Sequence, residues 1–335
     1  MKKVCVIGCG VVAPVHMKAV SALENAELYA VCDIVHERAD KYAAEFSAKA
    51  YYDYAEVLAD SEIDSVHICT PHYLHVPMAT AALAVGKNVV LEKPVCMNCD
   101  ELEALCAAEK ASFAKLCIML QNRTNNSIQE LKRIIAEDKS IGRLMGISGV
   151  MNWHRDAEYY NSEAWRGRWD TEGGGAVINQ AVHLLDLIDW FGGAKSIRAS
   201  ISTKLLGDVI EVEDTADAYM ELENGANATF YATNTFAVNR PVQLEICFEN
   251  AAFRYADSML WRIEGENAEI VARDKGEKLG KDYWGSGHER VIKSFYDSLE
   301  DGVCRYITLD NARHSAALMC ALYESAKSGE AVLVE

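Results

Sequence analysis

Long apolar runs are missing from this sequence. The longest, such as Val4–Ile7 and Val89–Leu91, fall far short of the length needed to span a bilayer. A leader pattern is missing too. Met1-Lys2-Lys3 runs straight into Val4-Cys5-Val6-Ile7-Gly8, with turn glycines where a longer apolar region would be needed, so a cytoplasmic protein is expected. Basic charge is scarce: 33 Lys and Arg stand against 50 Asp and Glu, a net charge of −17. That balance weighs against a nucleic-acid face, which needs a basic surface. It leaves room for a locally basic cleft that takes an anionic small molecule. A disulfide framework is not indicated either. The eleven cysteines are an odd count, and most lie in apolar strand or helix patterns: Cys5, Cys32, Cys69, Cys106, Cys117, Cys247 and Cys320. Buried free thiols in a reducing compartment account for this. Cys96-Met97-Asn98-Cys99 has redox or zinc spacing, but no second pair or histidine set accompanies it, and no metal site is expected.

What is present is the balance of a globular protein, with 50% apolar and 25% charged residues over 335 positions, enough for two domains. Residues 1–121 alternate short apolar runs with helical patterns. Strands are expected at Val4–Ile7, Leu28–Cys32, Ala50–Tyr51, Ser65–Cys69, Asn88–Leu91 and Leu116–Leu120. Helices are expected at Ala13–Glu24, Glu37–Phe46, Tyr54–Ala59, Val76–Val85 and Cys99–Lys110. This rhythm implies a doubly wound parallel sheet of the α/β class. After Gln121 the rhythm changes. A helix at Asn125–Glu137 and an extended piece at Gly146–Trp153 precede a loop, Arg155–Thr171. Gly173-Gly174-Gly175 then opens a helix at Ala176–Trp190. Strand candidates follow from Ile197 to about Val271, and Asp217–Leu222 and Ala226–Thr233 alternate as in a half-exposed antiparallel sheet. Helices near Glu289–Leu299 and Asn311–Ser328 close a second, α+β domain over residues 122–335.

Gly8-Cys9-Gly10-Val11-Val12-Ala13 is a G-x-G-x-x-A sequence after a strand and before a helix, the context of a dinucleotide-binding turn. Gly8 allows the tight turn, Gly10 the approach of a pyrophosphate, and Ala13 close packing of helix on strand. Asp33 ends the second strand, where a carboxylate accepts hydrogen bonds from the adenosine ribose and repels a 2′-phosphate. NAD is therefore favoured over NADP, with Arg38 as the residue that would reverse the preference.

Cys69-Thr70-Pro71-His72-Tyr73-Leu74-His75 follows the next strand, and Glu92-Lys93-Pro94 the one after. With Gly173-Gly174-Gly175…Asn179…His183…Asp186, these segments resemble the glucose–fructose oxidoreductase / inositol dehydrogenase / MocA family, collinearly over nearly the whole chain. The resemblance implies a Rossmann domain followed by a large open-faced, mostly antiparallel sheet for substrate binding and oligomer contacts, hence a homodimer or homotetramer. It also implies oxidation of a sugar or polyol. Oxidising a secondary alcohol removes a hydride from carbon and a proton from oxygen. Lys93 suits the alcohol oxygen, and Pro94 is a candidate for a cis peptide. His183 and Asn179 share a helix face; histidine suits proton exchange. Many members of the family carry aspartate where Asn179 stands, and an amide positions a hydroxyl but accepts no proton. Two roles stay open for Asp186: orienting His183 or capping a contact.

The resemblance further assigns Thr70, His75, Glu92, Gln121, Trp165 and Arg166 to the cofactor side. Arg123, Trp153, His154 and Tyr283 are substrate candidates, with Asn122, Trp284 and His288 behind them. For the aromatics, burial in a core explains the residue equally well. His16, His36, His67 and His314 receive no role. An NAD-dependent dehydrogenase leads. A redox-neutral glycosidase or lyase acting through a transient keto-sugar, and a non-catalytic sugar or dinucleotide sensor, remain open beside it.

Overall fold

The computed structural model describes residues 1–274 and 287–334. Continuous apolar runs are the mark of strands covered on both faces, and they form the first sheet here. It contains β1 (Lys2–Ile7), β2 (Ala26–Cys32), β3 (Lys49–Tyr51), β4 (Ser65–Ile68), β5 (Asn88–Leu91) and β6 (Leu116–Ile118), in the order β3-β2-β1-β4-β5-β6. Every pairing is parallel. The returns run through α1 (Ala13–Ser21), α2 (His36–Phe46), α3 (Tyr54–Ala59), α4 (His75–Ala84) and α5 (Cys99–Ala111). The order reverses between β1 and β4, and the crevice at the carboxyl ends of such strands is where sheets of this kind take ligands.

Beyond Gln121 the chain forms a second compact unit. After α6 (Asn126–Glu137) come β7 (Leu144–Asn152), α7 (Ala157–Asn161), a π-helical turn at Ala176–Ala181 and α8 (Val182–Gly192). Then follow β8 (Ala194–Ser202), β9 (Thr215–Leu222), β10 (Asn227–Thr233), β11 (Gln243–Phe248), β12 (Ala252–Ala256), β13 (Met259–Glu264) and β14 (Asn267–Arg273). The sheet is completed by a short strand at Val332–Leu333 paired with β8. Its nine strands are antiparallel except for one pair, β7 with β10. On β9 the alternation is strict: Ala216, Ala218, Met220 and Leu222 are buried and Asp217, Tyr219 and Glu221 are exposed. Helix α8 packs on β7, and Gly149 makes room for Leu184 and Ile188.

The last part of the chain departs from the expected boundaries. Helix α9 (Gly287–Asp301) buries Val291, Ile292, Phe295 and Tyr296 among Val4, Val6, Met17, Val20 and Met119. Residues 287–312 therefore group with residues 1–121, and the second unit is not the continuous stretch 122–335. An amphipathic pattern says which face of a helix is apolar, not which surface receives it. Helix α10 (Leu309–Ser328) follows. None of the eleven cysteines is joined in a disulfide. Cys247, expected to be buried, is exposed, because alternation on β11 turns it to the open face.

Phe295 is fully buried. Its replacement by alanine removes an aromatic ring from a packed core, which costs about 3–5 kcal/mol. Phe295→Ala is expected to lower the denaturation midpoint of the first unit accordingly, read by urea titration without NAD.

Candidate active site

The glycine turn is built for close approach. Gly8 has φ +85°, and a methyl group there would lie 2.7 Å from the Cys69 carbonyl oxygen. At Gly10 a methyl group would meet no protein atom within 4 Å, so the fold itself leaves that side clear. Helix α1 starts without a side-chain cap, with Pro14 in its first turn, leaving N–H groups for an anion. Ala13 is buried against the sheet. Asp33 ties the turn to β2: its Oδ2 accepts from the Cys9 amide at 2.7 Å and its Oδ1 from the Val35 amide at 2.8 Å. Thr70, on the loop after β4, keeps a buried Oγ1 without a hydrogen-bond partner among the described residues.

Lys93 is placed by a buried carboxylate. Within residues 89–96 it is the one side chain partly open to solvent. Its own amide donates to Glu92 Oε2 at 3.1 Å, and the Lys93–Pro94 peptide is cis. Glu92 Oε1 accepts from His16 Nε2 at 2.9 Å, with His288 Nε2 3.5 Å away. A carboxylate only accepts, so His16 presents a proton to it on Nε2, and the other ring nitrogen, Nδ1, lies 3.0 Å from His67 Nδ1. His67 Nε2 in turn faces the Tyr296 hydroxyl at 2.9 Å. Burial alone would raise the Glu92 carboxyl, but hydrogen bonds from His16 and His288 outweigh it and hold it well below the usual range. Burial, with His16 beside it, pushes His67 well down. The donor atoms of His16, Glu92 and His288 all lie within 4.8 Å of one another and are types a divalent ion accepts. Hydrogen bonds already occupy them. His75 joins the two loops, with ring nitrogens 2.9 Å from the Pro94 carbonyl and 3.0 Å from that of Thr70.

In the second unit the triple glycine lets a second carboxylate hold a helix start. A methyl group on Gly174 would overlap the Tyr323 hydroxyl, and one on Gly175 the Glu213 carbonyl oxygen. Buried Glu213 accepts from the amides of Gly175 and Val177 and from the Tyr323 hydroxyl, each at 2.9 Å. The chain winds on through the π-helical turn, a form that clusters at functional sites, into α8. Across residues 174–189 every residue is buried except Asn179 and His183. Asn179 Nδ2 donates to Glu172 Oε1 at 2.5 Å, and Glu172 Oε2 accepts from the Gly167 amide at 2.5 Å. Tyr159, 4.2 Å beneath the Arg166 guanidinium, receives Gln180 Nε2 at 3.0 Å. Glu172 is fully buried, and that burial pushes its carboxyl up to about 7 against the opposing pull of Gly167, Asn179 and Arg166.

Comparison with known proteins agrees with this construction. Residues 2–119 match the oxidoreductase family with an NAD-binding Rossmann fold, and residues 128–254 match the GFO/IDH/MocA C-terminal domain. The chain belongs to the glucose–fructose oxidoreductase / inositol dehydrogenase / MocA family. It is 24% identical to inositol 2-dehydrogenase 2 of Saccharopolyspora erythraea over 337 residues, 98% of this chain and 94% of that one. It is also 24% identical to the uncharacterized oxidoreductase YrbE of Bacillus subtilis over 315 residues, covering 90% and 84%. The WlbA dehydrogenase of Bordetella pertussis, solved with NADH and UDP-GlcNAcA, superposes with a TM-score of 0.86 at 27% identity, covering 100% of this chain and 99% of that one.

This family member is an NAD-dependent oxidoreductase, and the residues of its first unit fit the cofactor. The clear side of Gly10, the uncapped α1 and the Thr70 hydroxyl suit a dinucleotide, and the Asp33 carboxylate suits an unphosphorylated ribose. Among the other expected site residues, Glu92 and Gln121 are buried, and Trp165 and Arg166 are partly exposed. Arg123 is buried and grips Asp186, with Nε 2.9 Å from Oδ2 and Nη2 2.5 Å from Oδ1. Trp153 is buried and donates to the Arg240 carbonyl at 3.0 Å. His154 is exposed and contacts Phe236 and Asn239. Tyr283 and Trp284 lie outside the described residues. His288 turns inward to Glu92, as does His16, which had received no role. Glu172, Glu213 and Tyr159 were not singled out from the sequence. An acid directly before three glycines is the one signal that could have marked Glu172.

Because Glu172 binds its proton more tightly folded than at its ordinary value of 4.5, folding takes up a proton. The stability this gives is complete below about pH 4.5 and is lost as pH rises through about 7. Thermal unfolding across this window should show a downward slope that Glu172→Gln reduces.

Proposed function

We propose that this chain interconverts a secondary alcohol of a sugar, inositol or glycoside and the corresponding ketone. NAD, when bound, supplies the hydride-accepting and hydride-donating chemistry. Lys93 holds the alcohol oxygen and stabilises the charge that develops on it. His183 accepts the hydroxyl proton, and Asn179 positions a neighbouring hydroxyl because an amide cannot take that proton. The observation that carries this reading is the pattern of exposure. Two otherwise buried runs, 89–96 and 174–189, leave open only Lys93 in one and Asn179 and His183 in the other. Asp186 gives both oxygens to Arg123, which supports a contact-holding role for it on this helix. The similarity to a dehydrogenase solved with NADH and UDP-GlcNAcA supports counting nucleotide sugars among the candidates. A cytoplasmic location accords with this reading, and no helix of the described residues is long and apolar enough to cross a membrane.

The test is a screen of myo-inositol, free hexoses, alkyl glycosides and nucleotide sugars for NADH formation by absorbance. Silence with every class, in enzyme that binds NAD, would overturn the proposal. Release of an aglycone without net absorbance change would establish the redox-neutral reading in its place.

With a substrate in hand, Lys93→Met is expected to bind NAD within a few-fold of the parent and to lose at least about 10²-fold in single-turnover hydride transfer. His183→Ala should lower turnover by on the order of 10²–10⁴-fold, and Asn179→Ala by much less. The reverse ranking would exchange their roles.

The open face of the nine-stranded sheet presents Tyr219 and Tyr231, 52% and 40% exposed, among charged neighbours. We read it as the contact between copies in a dimer or tetramer. Light scattering at micromolar concentration should report a multiple of the single-chain mass, and the single-chain mass alone would refute this.

A further inference from the structure

Glu172 is closed to solvent, yet it touches a residue that is not. Its two oxygens have different partners: Oε2 accepts from the Gly167 amide and Oε1 from the Asn179 side chain. An ionised carboxylate can only accept hydrogen bonds, so it must face the nitrogen end of the Asn179 amide. The carbonyl end, Oδ1, then occupies the other arm. A protonated carboxyl can also donate, and it accepts the carbonyl end equally well. The orientation of the amide therefore follows the charge of its buried neighbour.

Few other charges contend for Glu172. Arg166, stacked on Tyr159, is the cation that acts on it, and Glu213 is the second carboxylate. Tyr159, Tyr160 and Tyr323 are titratable groups nearby. The Tyr160 hydroxyl accepts from Asn234 at 2.8 Å, and burial pushes all three phenols upward, so none titrates near neutrality. Burial favours a neutral Glu172, whereas Gly167, Asn179 and Arg166 favour an ionised one; the outcome lies at about 7.

We propose that Glu172 is a positioning residue that sets which end of the Asn179 amide is presented to the substrate. Ionised, it makes Asn179 an acceptor for a substrate hydroxyl; protonated, it lets the amide turn and present its donor end. Substrate recognition at Asn179 is thus coupled to a proton held on a side chain that the substrate does not touch. This deepens the proposed function, since it takes Asn179 as a substrate contact.

The first test needs no substrate. In NAD-loaded protein labelled with [15N]asparagine, the Asn179 side-chain amide signal is assigned by its loss in Asn179→Ala and followed with pH. It should titrate with a midpoint near 7. Glu172→Asp should keep a titration and Glu172→Gln should abolish it. A parent signal that stays flat through neutrality, or one that titrates alike in Glu172→Gln, overturns the proposal whatever the enzyme acts on. The second test uses the substrate found by the screen. In the parent, KM should change with pH through neutrality by on the order of tenfold, the weight of about one hydrogen bond. Glu172→Gln should flatten that profile and leave kcat within a few-fold. A fall in kcat with the KM profile intact would assign Glu172 elsewhere. Failure of the screen alone would strike the proposed function and leave the amide titration to decide this point.

Discussion

The carboxylate of Glu92 lies in the interior of the first unit, where a charge must be answered by donors or be lost. The answer comes from His16 on α1, from His288 on α9 and from the amide of Lys93. Three segments far apart in the chain are thereby fixed on one atom group. His67 and Tyr296 extend the same chain of hydrogen bonds, so β4 and a later turn of α9 are committed as well. Lys93 leaves this assembly as the partly open residue of its run, its backbone held by the carboxylate to which its own amide donates.

The second unit uses carboxylates for two different ends. Glu213 is held by two helix-start amides and a phenol, and it fixes where the π-helical turn begins. Burial raises its carboxyl, as it raises that of Glu172. Glu172 is held by one backbone amide and by the Asn179 side chain, whose amide has a donor and an acceptor end. A stiff scaffold and an adjustable contact thus stand within a few residues of each other, separated only by the three glycines.

Much of this was legible in the sequence where the physics is local. The helix Tyr54–Ala59 and the strand Asn88–Leu91 fall where their patterns place them. The glycine turn and Asp33 could be read because turn chemistry and strand ends lie within a few residues of each other, and the Glu92-Lys93-Pro94 segment through its family resemblance. What stayed hidden depends on distant partners. His16 meets Glu92 76 positions later and His67 51 positions later, so neither histidine carries its meaning in its neighbours. Arg123 meets Asp186 63 positions later, a pairing that its neighbours in the chain do not announce. The π-helical turn was read as ordinary helix because one extra residue per turn barely disturbs an apolar pattern over six positions.

One feature of the large sheet bears on how the chain reaches its fold. Strands β7 and β10 are its single parallel pair, and they lie side by side at its centre. Everything between residues 153 and 226 belongs to the excursion that joins them, including α7, the glycines, the π-helical turn and α8. Toward its end β8, β9 and then β10 pair antiparallel through shorter connections, so the long closure falls on the β7–β10 ladder, and non-local pairing of this kind slows folding. The segment that carries Asn179, His183 and Glu172 is therefore also the segment whose compaction lets the sheet close. A change in this segment therefore bears on the closing of the sheet as well as on the chemistry of the site.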